Sequence, residues 1–417
     1  MVTHHYFGFF IKIFFQIISF FIFLNISYCE FTFNPNILIQ EDSVLNVVKD
    51  KKMKDDFNKF FLSSSLRRGC FITNGTIGKF YNVFLNYYSR FNFSQTDGTN
   101  TNLSEGYLKF SVNNFIFKFG QFNSIIGIEP NTRLSNFIFL ETSTLSDSFL
   151  TKETFGFFIK YFFKDNIFLN IKDLLNISFV FSLENMNNRS IKKELKDKYY
   201  FMFRSVILPI NHIDCTFHFG LSFQYANNHT TPLSVNTGIE CRDRAYNINR
   251  IHTFVGTGNA KKSVYSFIYG IETILKYKCF SIQSEFFYNF ICWEHPIDPS
   301  TYDGFYFQVG YFLTGEKRSY IMESGSMINP RRFLKNYGAI ELAIRYCFVD
   351  THKPDDDLVV FPETGITSSL TFGVNWFVNS KIKIQLNYIN TDFIYNDWEC
   401  NKCCKYNTLG SRLQISI

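Results

Sequence analysis

The sequence predicts an all-β protein, a 16-stranded antiparallel transmembrane β-barrel. Three observations lead to this fold class. The chain begins with a stretch typical of a secretory signal peptide, later segments of about ten residues alternate between apolar and polar side chains, and turn residues separate those segments. Strands with one apolar and one polar face, repeated along a secreted chain, are typical of barrels that turn the apolar face to lipid.

Residues 1–29 are predicted to be a cleaved signal peptide. A weakly basic start ends near Lys12, an apolar block follows over residues 13–26, and Ser27-Tyr28-Cys29 completes the segment. Small residues at the third and first positions before Glu30 fit a signal-peptidase groove, which indicates cleavage after Cys29. The length of the apolar block leaves an uncleaved membrane helix as an alternative. No later stretch approaches the roughly 20 apolar residues that a membrane helix needs.

Aromatic side chains are abundant in a chain that is not hydrophobic overall. They make up 19% of the residues, with 54 Phe and 24 Tyr, while the mean hydropathy is near neutral at -0.06. A barrel in lipid turns such rings outward. An AT-rich genome also raises the Phe count. The arrangement of the rings along the chain therefore has to distinguish a lipid-facing barrel from a compositional bias. Residues 30–417 are predicted to form one outer-membrane β-barrel, in which residues 30–65 are an N-terminal segment that includes a possible first strand.

The rings occupy one parity of the strand-like segments. Phe117 and Phe119 flank Lys118, and the stretch from Leu370 to Trp376 alternates in the same way. Successive side chains of a strand point to opposite faces, so one face of each segment is apolar and the other hydrophilic. A β-sandwich also alternates, but so long a repeat after a secretory segment favours lipid. The sixteen predicted strands lie at residues 37–49, 66–75, 78–93, 105–112, 114–122, 153–164, 174–184, 197–209, 214–227, 264–276, 277–290, 304–314, 336–349, 366–377, 380–392 and 406–417.

Connection lengths orient the predicted barrel. An even number of strands puts both termini at the periplasmic end, where turns are short. Tight turns are predicted on that side at residues 75–77, 112–113, 209–212, 276–278 and 379, and longer loops on the outer side at residues 94–104, 123–152, 228–263, 350–365 and 393–405. Residues 315–335 are the exception, a long connection on the periplasmic side.

The parity opposite the rings predicts the side chains that line the pore. Cations exceed acids two to one on this parity, within a chain of formal charge +6. A low-dielectric wall focuses such a field, so we expect a preference for anions. The alternative is that the inward charges pair with one another. The predicted inward cations are Arg90, Lys109, Lys118, Lys160, Arg204, Arg345, Lys383 and Arg412, and the acids are Glu105, Glu272, Glu285 and Glu341. Arg242 and Arg244 add a loop pair whose spacing lets both project to one side of an extended segment.

Nine of the ten cysteines follow the predicted cleavage site, so at least one has no partner within the chain. Most are scattered without the spacing of metal ligands. Cys400, Cys403 and Cys404 lie close together in a predicted outer loop, where a disulfide or free thiols are favoured over a zinc site because no second ligand pair is near. No metal and no cofactor is expected.

Several of these segments resemble the phosphate-selective porin O and P family. The order and spacing of the motifs carry the resemblance along nearly all of the predicted mature chain. The matching motifs include Leu66-Arg67-Arg68-Gly69, Gly106-Tyr107-Leu108-Lys109, Phe119-Gly120-Gln121-Phe122, Gly127-Ile128-Glu129, Phe139-Leu140-Glu141, Tyr269-Gly270-Ile271-Glu272, residues 308–316, residues 338–346 and Gly373-Val374-Asn375-Trp376-Phe377.

The resemblance implies a trimeric barrel whose third loop, residues 123–152, folds inward as a constriction approached by a ladder of arginines. Arg133 is the candidate anion-binding residue within that loop. The chain departs from the family pattern at Asn123 and Thr142, where a lysine and an arginine are usual. The identity of the anion, phosphate or another, therefore stays open.

The expected function is that of a porin in the outer membrane of a Gram-negative bacterium, a water-filled channel for passive diffusion of small anions rather than an enzyme. Expected partners are two further copies of the chain in a homotrimer, outer-membrane lipids with lipopolysaccharide, and small anions, but no nucleic acid. The alternatives are a surface antigen or adhesin barrel and, less favoured, an outer-membrane hydrolase. His218 and Ser222 share a parity, but they lie four residues apart and the sequence suggests no acid to orient the imidazole.

Overall fold

Sixteen antiparallel strands close into a barrel in the computed structural model of the protein, which confirms the predicted fold class. Each strand pairs with its neighbours in the chain, and the first pairs with the last. The structure describes residues 31–50, 59–80, 83–93, 102–151, 153–165, 172–184, 198–227, 237–241, 263–293, 298–330, 332–351, 365–397 and 400–417. The predicted signal peptide lies outside these ranges.

All sixteen predicted strands are present, and two short strands lie outside the barrel wall. Numbered along the chain, the wall consists of β1 (Asn34–Asp50), β2 (Lys59–Phe80), β3 (Val83–Asn92), β4 (Asn102–Val112), β5 (Phe115–Asn123), β6 (Glu153–Asp165), β7 (Lys172–Glu184), β8 (Tyr199–Asn211), β9 (Cys215–Asn227), β10 (Ser263–Tyr277), β11 (Phe280–Trp293), β12 (Ser300–Phe312), β15 (Ala339–Asp350), β16 (Gly365–Phe377), β17 (Ile382–Asp397) and β18 (Cys400–Ser416). The short strands β13 (Ser319–Ile321) and β14 (Ser326–Ile328) form a hairpin.

The predicted parity of the wall is also confirmed. On β12, the exposed fractions of Phe305 and Phe307 are 39% and 44%, whereas those of Tyr306 and Gln308 are 0% and 4%. The outward rings contact one another across strands, as Phe179 on β7 contacts a ring of β8 with centroids 5.1 Å apart. A continuous apolar belt therefore faces outward, and polar side chains face the lumen.

The structure corrects two predicted connections. The turn predicted at residues 75–77 is wrong, because β2 runs on to Phe80 and pairs with β3 through this segment. Ile77 is the extra residue of a bulge there, an irregularity that the neighbouring glycines accommodate. Cys400, Cys403 and Cys404 were predicted in a loop, but their backbone begins β18 and pairs with β17. The side chains of these three cysteines are not among those that the structure describes.

Three segments of the described part of the chain lie inside the barrel. Two come from one end: residues 124–151, here called the inner loop, which contain helix α1 (Thr144–Phe149), and residues 237–241. The third, residues 313–338, carries the β13–β14 hairpin and is here called the inserted turn. It leaves from the end at which Ile37 N donates to Ile417 O at 2.7 Å, which we call the terminal end. Among the described residues, no helix is long and apolar enough to cross a membrane.

The lipid-facing belt predicts that a charged residue placed on it lowers the stability of the barrel by an amount that depends on its depth in the membrane. Leu221 points outward from the middle of β9, and Ile213 is exposed in the turn before it. We expect Leu221→Arg to lower the free energy of unfolding by about 2–4 kcal/mol and Ile213→Arg by less than about 1 kcal/mol, because a charge near the interface reaches water. Urea titration of the barrel refolded in lipid vesicles measures both. Equal costs for the two variants would contradict the assigned belt.

Candidate functional site

Wall side chains hold the inner loop through its main-chain carbonyls. Lys383 Nζ donates to Phe137 O at 2.8 Å, and Asn375 Nδ2 donates to Ile138 O at 2.9 Å. Farther along, Arg412 donates to Leu140 O and to a carboxylate described below. An extended segment inside a barrel has no strand partner, so these side chains supply the donors that its buried carbonyls need.

The carboxylate of Glu141 joins the inner loop to three arginines of the wall. It accepts from Arg67 Nε at 2.8 Å, from Arg68 at 2.7 Å and from Arg412 at 3.0 Å. Arg412 also forms an ion pair with Asp42 on β1 at 2.6 Å. All the groups except Arg68 are almost wholly buried. The loop is thus fixed to strands β1, β2 and β18.

Arg67 and Arg68 both reach the lumen although they are consecutive residues of a strand. The pairing of β2 with β1 shifts there, since Gln40 pairs with Arg68 and Glu41 with Leu66. Arg67 is therefore the extra residue of a bulge, which redirects its side chain inward. Neither arginine was among the predicted pore residues, because simple alternation does not place consecutive residues on one face. The double arginine of the family motif was the signal in the sequence.

Arg345 is held by acids from two inward segments. Its guanidinium lies 2.7 Å from Glu240 and 3.4 Å from Glu129, and it also donates to Glu141 O. Glu240 accepts from Thr371 at 2.7 Å as well. Burial raises the pKa of Glu129 above its usual value, and Arg345 opposes that shift. The charge of Arg345 is therefore neutralised locally, and its role is to hold loops.

The start of the inner loop is held by a close approach of its backbone to the Glu285 carboxylate of the wall. Ile128 N donates to the Glu285 carboxylate at 2.6 Å, and Tyr306 donates to the same carboxylate. Gly127 precedes this contact with a positive φ of 81°, and a Cβ at this position would overlap Glu285. Only glycine fits here without strain, because an L side chain rarely adopts this conformation.

The inserted turn is held from the opposite side of the lumen. His218 bonds to Glu272 through Nε2 at 2.8 Å and to Tyr320 of the turn through Nδ1 at 2.7 Å. Arg204 forms an ion pair with Glu272 at 2.7 Å. An acid does therefore reach His218, contrary to the sequence interpretation. The other ring nitrogen bonds to Tyr320 rather than to Ser222, so no serine-histidine pair forms.

A cavity of about 550 Å³ lies between these two inward segments and the wall of β1 to β8. Of the residues that the structure describes, six cations and two carboxylates line it: Arg90, Lys109, Lys118, Arg133, Lys160, Arg204, Glu105 and Glu323. On the other side of the inner loop, a pocket between the loop and strands β11 to β15 has a volume of about 20 Å³, roughly room for one water molecule. The open part of the lumen is therefore one-sided and positively charged.

The structure divides the predicted cations into two groups. Arg345, Lys383 and Arg412 lie beneath the inner loop, where they hold it by donating to Glu141 O, Phe137 O and Leu140 O respectively. The other group lines the cavity, but three of its members are already paired: Arg90 lies 2.7 Å from Glu105, Lys109 lies 2.7 Å from Glu323, and Arg204 pairs as described. For these paired arginines, the alternative of mutual neutralisation is what the geometry shows. Arg242 and Arg244 lie outside the described residues.

Lys109, Lys118 and Arg133 keep access to the cavity, and Lys160, which is only 3% exposed, lies beside them in its lining. The ammonium of Lys118 lies 4.9 Å from the ring centroids of Tyr107 and Phe158, and no ion pair is formed by it within the described ranges. Arg133 is exposed in the inner loop. Lys109 and Lys160 both contact the inserted turn at Glu323. This group, rather than the buried arginines, presents positive charge to a solute.

Comparison with known proteins agrees with this geometry. The family model described as "Phosphate-selective porin O and P" matches residues 46–416. The chain belongs to this family. It is 31% identical over 222 residues to Porin O of Pseudomonas aeruginosa, which is 47% of this chain and 49% of that protein. The chain thus spans about half the length of the curated relative that it matches.

Two solved structures, one of a porin and one of another outer membrane protein, share the fold of this family member. An anion-selective porin from Comamonas acidovorans superposes with a TM-score of 0.56 at 7% identity, covering 93% of this chain and 100% of that one. A trimer form of OmpT, an outer membrane protein of Vibrio cholerae, gives a TM-score of 0.54 at 11% identity, covering 93% and 99%. The protein is an outer-membrane barrel of a Gram-negative bacterium.

The contacts of Glu141 predict what releases the inner loop. Glu141→Ala leaves three guanidinium groups without their shared acceptor, so we expect the loop to move away from the wall and single-channel conductance to rise. Loss of one partner from a buried ion pair costs about 3–5 kcal/mol, so thermal stability should fall as well. Glu141→Gln, which keeps an acceptor oxygen, should show a smaller change of both quantities. Unchanged conductance in Glu141→Ala would show that other contacts alone hold the loop.

Proposed function

We propose that this porin is a passive channel for small anions and that they pass through the cavity beside the inner loop. The observation that carries the proposal is the charge of that cavity: its lining holds six cations against two carboxylates. Fixed positive charge on a low-dielectric wall raises the local concentration of anions and lowers that of cations. The contributing groups are Lys109, Lys118, Arg133 and Lys160.

The buried pairs contribute little to this selectivity. The side chains of Arg345 and Glu240 are 1% and 0% exposed, so a passing solute does not reach either charge. The pair of Lys109 and Glu323 differs, with exposed fractions of 21% and 42%. Selectivity is therefore assigned to the lysine side of the lumen, and Arg345 and Arg412, which were predicted to bind anions, act on the pore by positioning its loops.

Small anions as a class are favoured over a single named solute. The family is described as phosphate-selective, and the Comamonas acidovorans neighbour is described as anion-selective. The cavity offers lysines, which bind oxyanions as point charges, and one accessible arginine, which adds a planar fork. We propose phosphate or another small anionic nutrient as the solute.

The assembly proposed for this channel is a homotrimer in contact with outer-membrane lipids and lipopolysaccharide. The belt of outward rings supports the lipid contact, and the trimer form of the Vibrio cholerae neighbour supports the oligomer. We also propose that residues 1–29 are removed on export. A surface antigen with a filled barrel is less well supported, because the cavity stays open between the inward segments.

Charge reversal at Lys118 tests the proposed function. We expect Lys118→Glu to lower the permeability of chloride relative to potassium by at least about fivefold, since a unit charge at about 4 Å in water changes the energy of an ion by about 1 kcal/mol. Reversal potentials in KCl gradients across planar bilayers measure the ratio. The shift should grow at low salt, because screening extends over only about 8 Å at physiological ionic strength.

Lys381→Glu is the matched control for this experiment. Lys381 is exposed in the turn between β16 and β17 at the terminal end and does not line the cavity. The same reversal of charge there should leave the permeability ratio nearly unchanged. If Lys118→Glu and Arg133→Glu, both folded, keep the wild-type ratio at low salt, the cavity does not select by charge.

A further inference from the structure

The tip of the inserted turn places a carboxylate among the lysines of the cavity. Both oxygens of Glu323 accept from Lys109 Nζ, at 2.7 and 2.8 Å. The main-chain oxygen of Glu323 accepts from Lys160 Nζ at 2.8 Å. This acid comes from a segment that enters at the terminal end, far from these lysines in sequence. It therefore occupies a position that strand alternation does not predict.

The wall alone leaves three like charges close together. Lys109 on β4 and Lys118 on β5 are direct cross-strand partners. Lys160 on β6 pairs with Ile116, two residues from Lys118, and so lies diagonally across from it. Like charges opposite one another destabilise a sheet, and a nearby acid relieves the repulsion. Glu323 supplies that acid, although one carboxylate offsets only one of three charges.

Glu323 stays in contact with the water-filled cavity. Its side chain is 42% exposed, whereas the acids that hold the inner loop are almost wholly buried. An ion pair this exposed is weak and is screened by ions in solution. A small anion that enters the cavity therefore competes with Glu323 for Lys109.

We propose that Glu323 is a tethered competitor for the anion site formed by Lys109, Lys118 and Lys160, and that it thereby sets the selectivity and the affinity of the pore. The inference rests on the proposed function. A mobile oxyanion with two acceptor oxygens, such as a small carboxylate, takes the place of the Glu323 carboxylate on Lys109. Glu323 keeps the site from holding an anion too tightly for release, which a channel requires.

The turn has other attachments that keep it in place without this carboxylate. Arg204 donates to Ser324 O at 2.9 Å and to Gly325 O at 3.3 Å, and Lys160 donates to the main chain of Glu323. The bond of Tyr320 to His218 holds the start of the hairpin. Replacing Glu323 by glutamine therefore removes a charge and leaves the turn anchored.

Glu323→Gln tests the proposal. We expect the permeability of chloride relative to potassium to rise by about fivefold at low salt, the factor that one unit charge at about 4 Å exerts in water. Added acetate should also reduce the chloride current at lower concentration than in the wild type, because the competing carboxylate is gone. Asp214→Asn removes an equal charge from the exposed rim at the terminal end, outside the cavity, and should change neither quantity.

Two comparisons separate the outcomes. If Glu323→Gln equals the wild type while Lys118→Glu shifts the permeability ratio, the tethered competitor is refuted and the proposed function stands. If neither variant shifts the ratio, both proposals fail. Glu323→Asp keeps the negative charge and the anchored turn, but its shorter side chain draws the carboxylate back from Lys109. This variant replaces Glu323→Gln in the test if the glutamine variant does not fold. We expect it to lower the acetate concentration that blocks the current, and an unchanged value would likewise refute the competitor.

Discussion

The contact of the Glu141 carboxylate with three arginines is the interaction on which the rest of the lumen depends. Arg67 and Arg68 come from β2 and Arg412 from β18, the two strands that flank β1, and Glu141 brings the inner loop to all of them. Charges taken out of water are costly unless they are paired and hydrogen-bonded. The arginines therefore require the loop, and the loop requires the arginines, so its position is determined.

This arrangement makes the lumen asymmetric. The inner loop covers one wall, where a pocket of about 20 Å³ lies beside it, and it borders a cavity of about 550 Å³ on its other side. The two sides of the inner loop also differ in the kind of cation that they carry. Arginines such as Arg345 hold loops through several planar hydrogen bonds, whereas lysines such as Lys118 face the cavity as compact, hydrated charges. A pore needs the second kind of group where solute passes, because a fully paired guanidinium has no donors left to offer.

Two inward segments from opposite ends of the barrel meet and bound this cavity. Asn329 of the inserted turn donates to Ser135 O of the inner loop at 2.8 Å, and Ser326 donates to Asn131 O at 3.2 Å. Ile128 and Met327 pack together at the same junction. Because each segment is also tied to the wall, the width of the channel is set by three mutually supporting surfaces. The position of Glu323 follows from this junction.

The sequence by itself determined the barrel: the number of strands, their order and, away from the bulges, the face on which the side chains lie. Alternation is a local property with a period of two, and lipid on one side enforces it. The tertiary structure alone decided which inward charges are free. Glu141 and Glu323 reach their partners from loops far away in the chain, and the bulge at Arg67 breaks the parity. A count of charges on one parity omits such acids, because their neutralising effect depends on distances that only the folded chain sets.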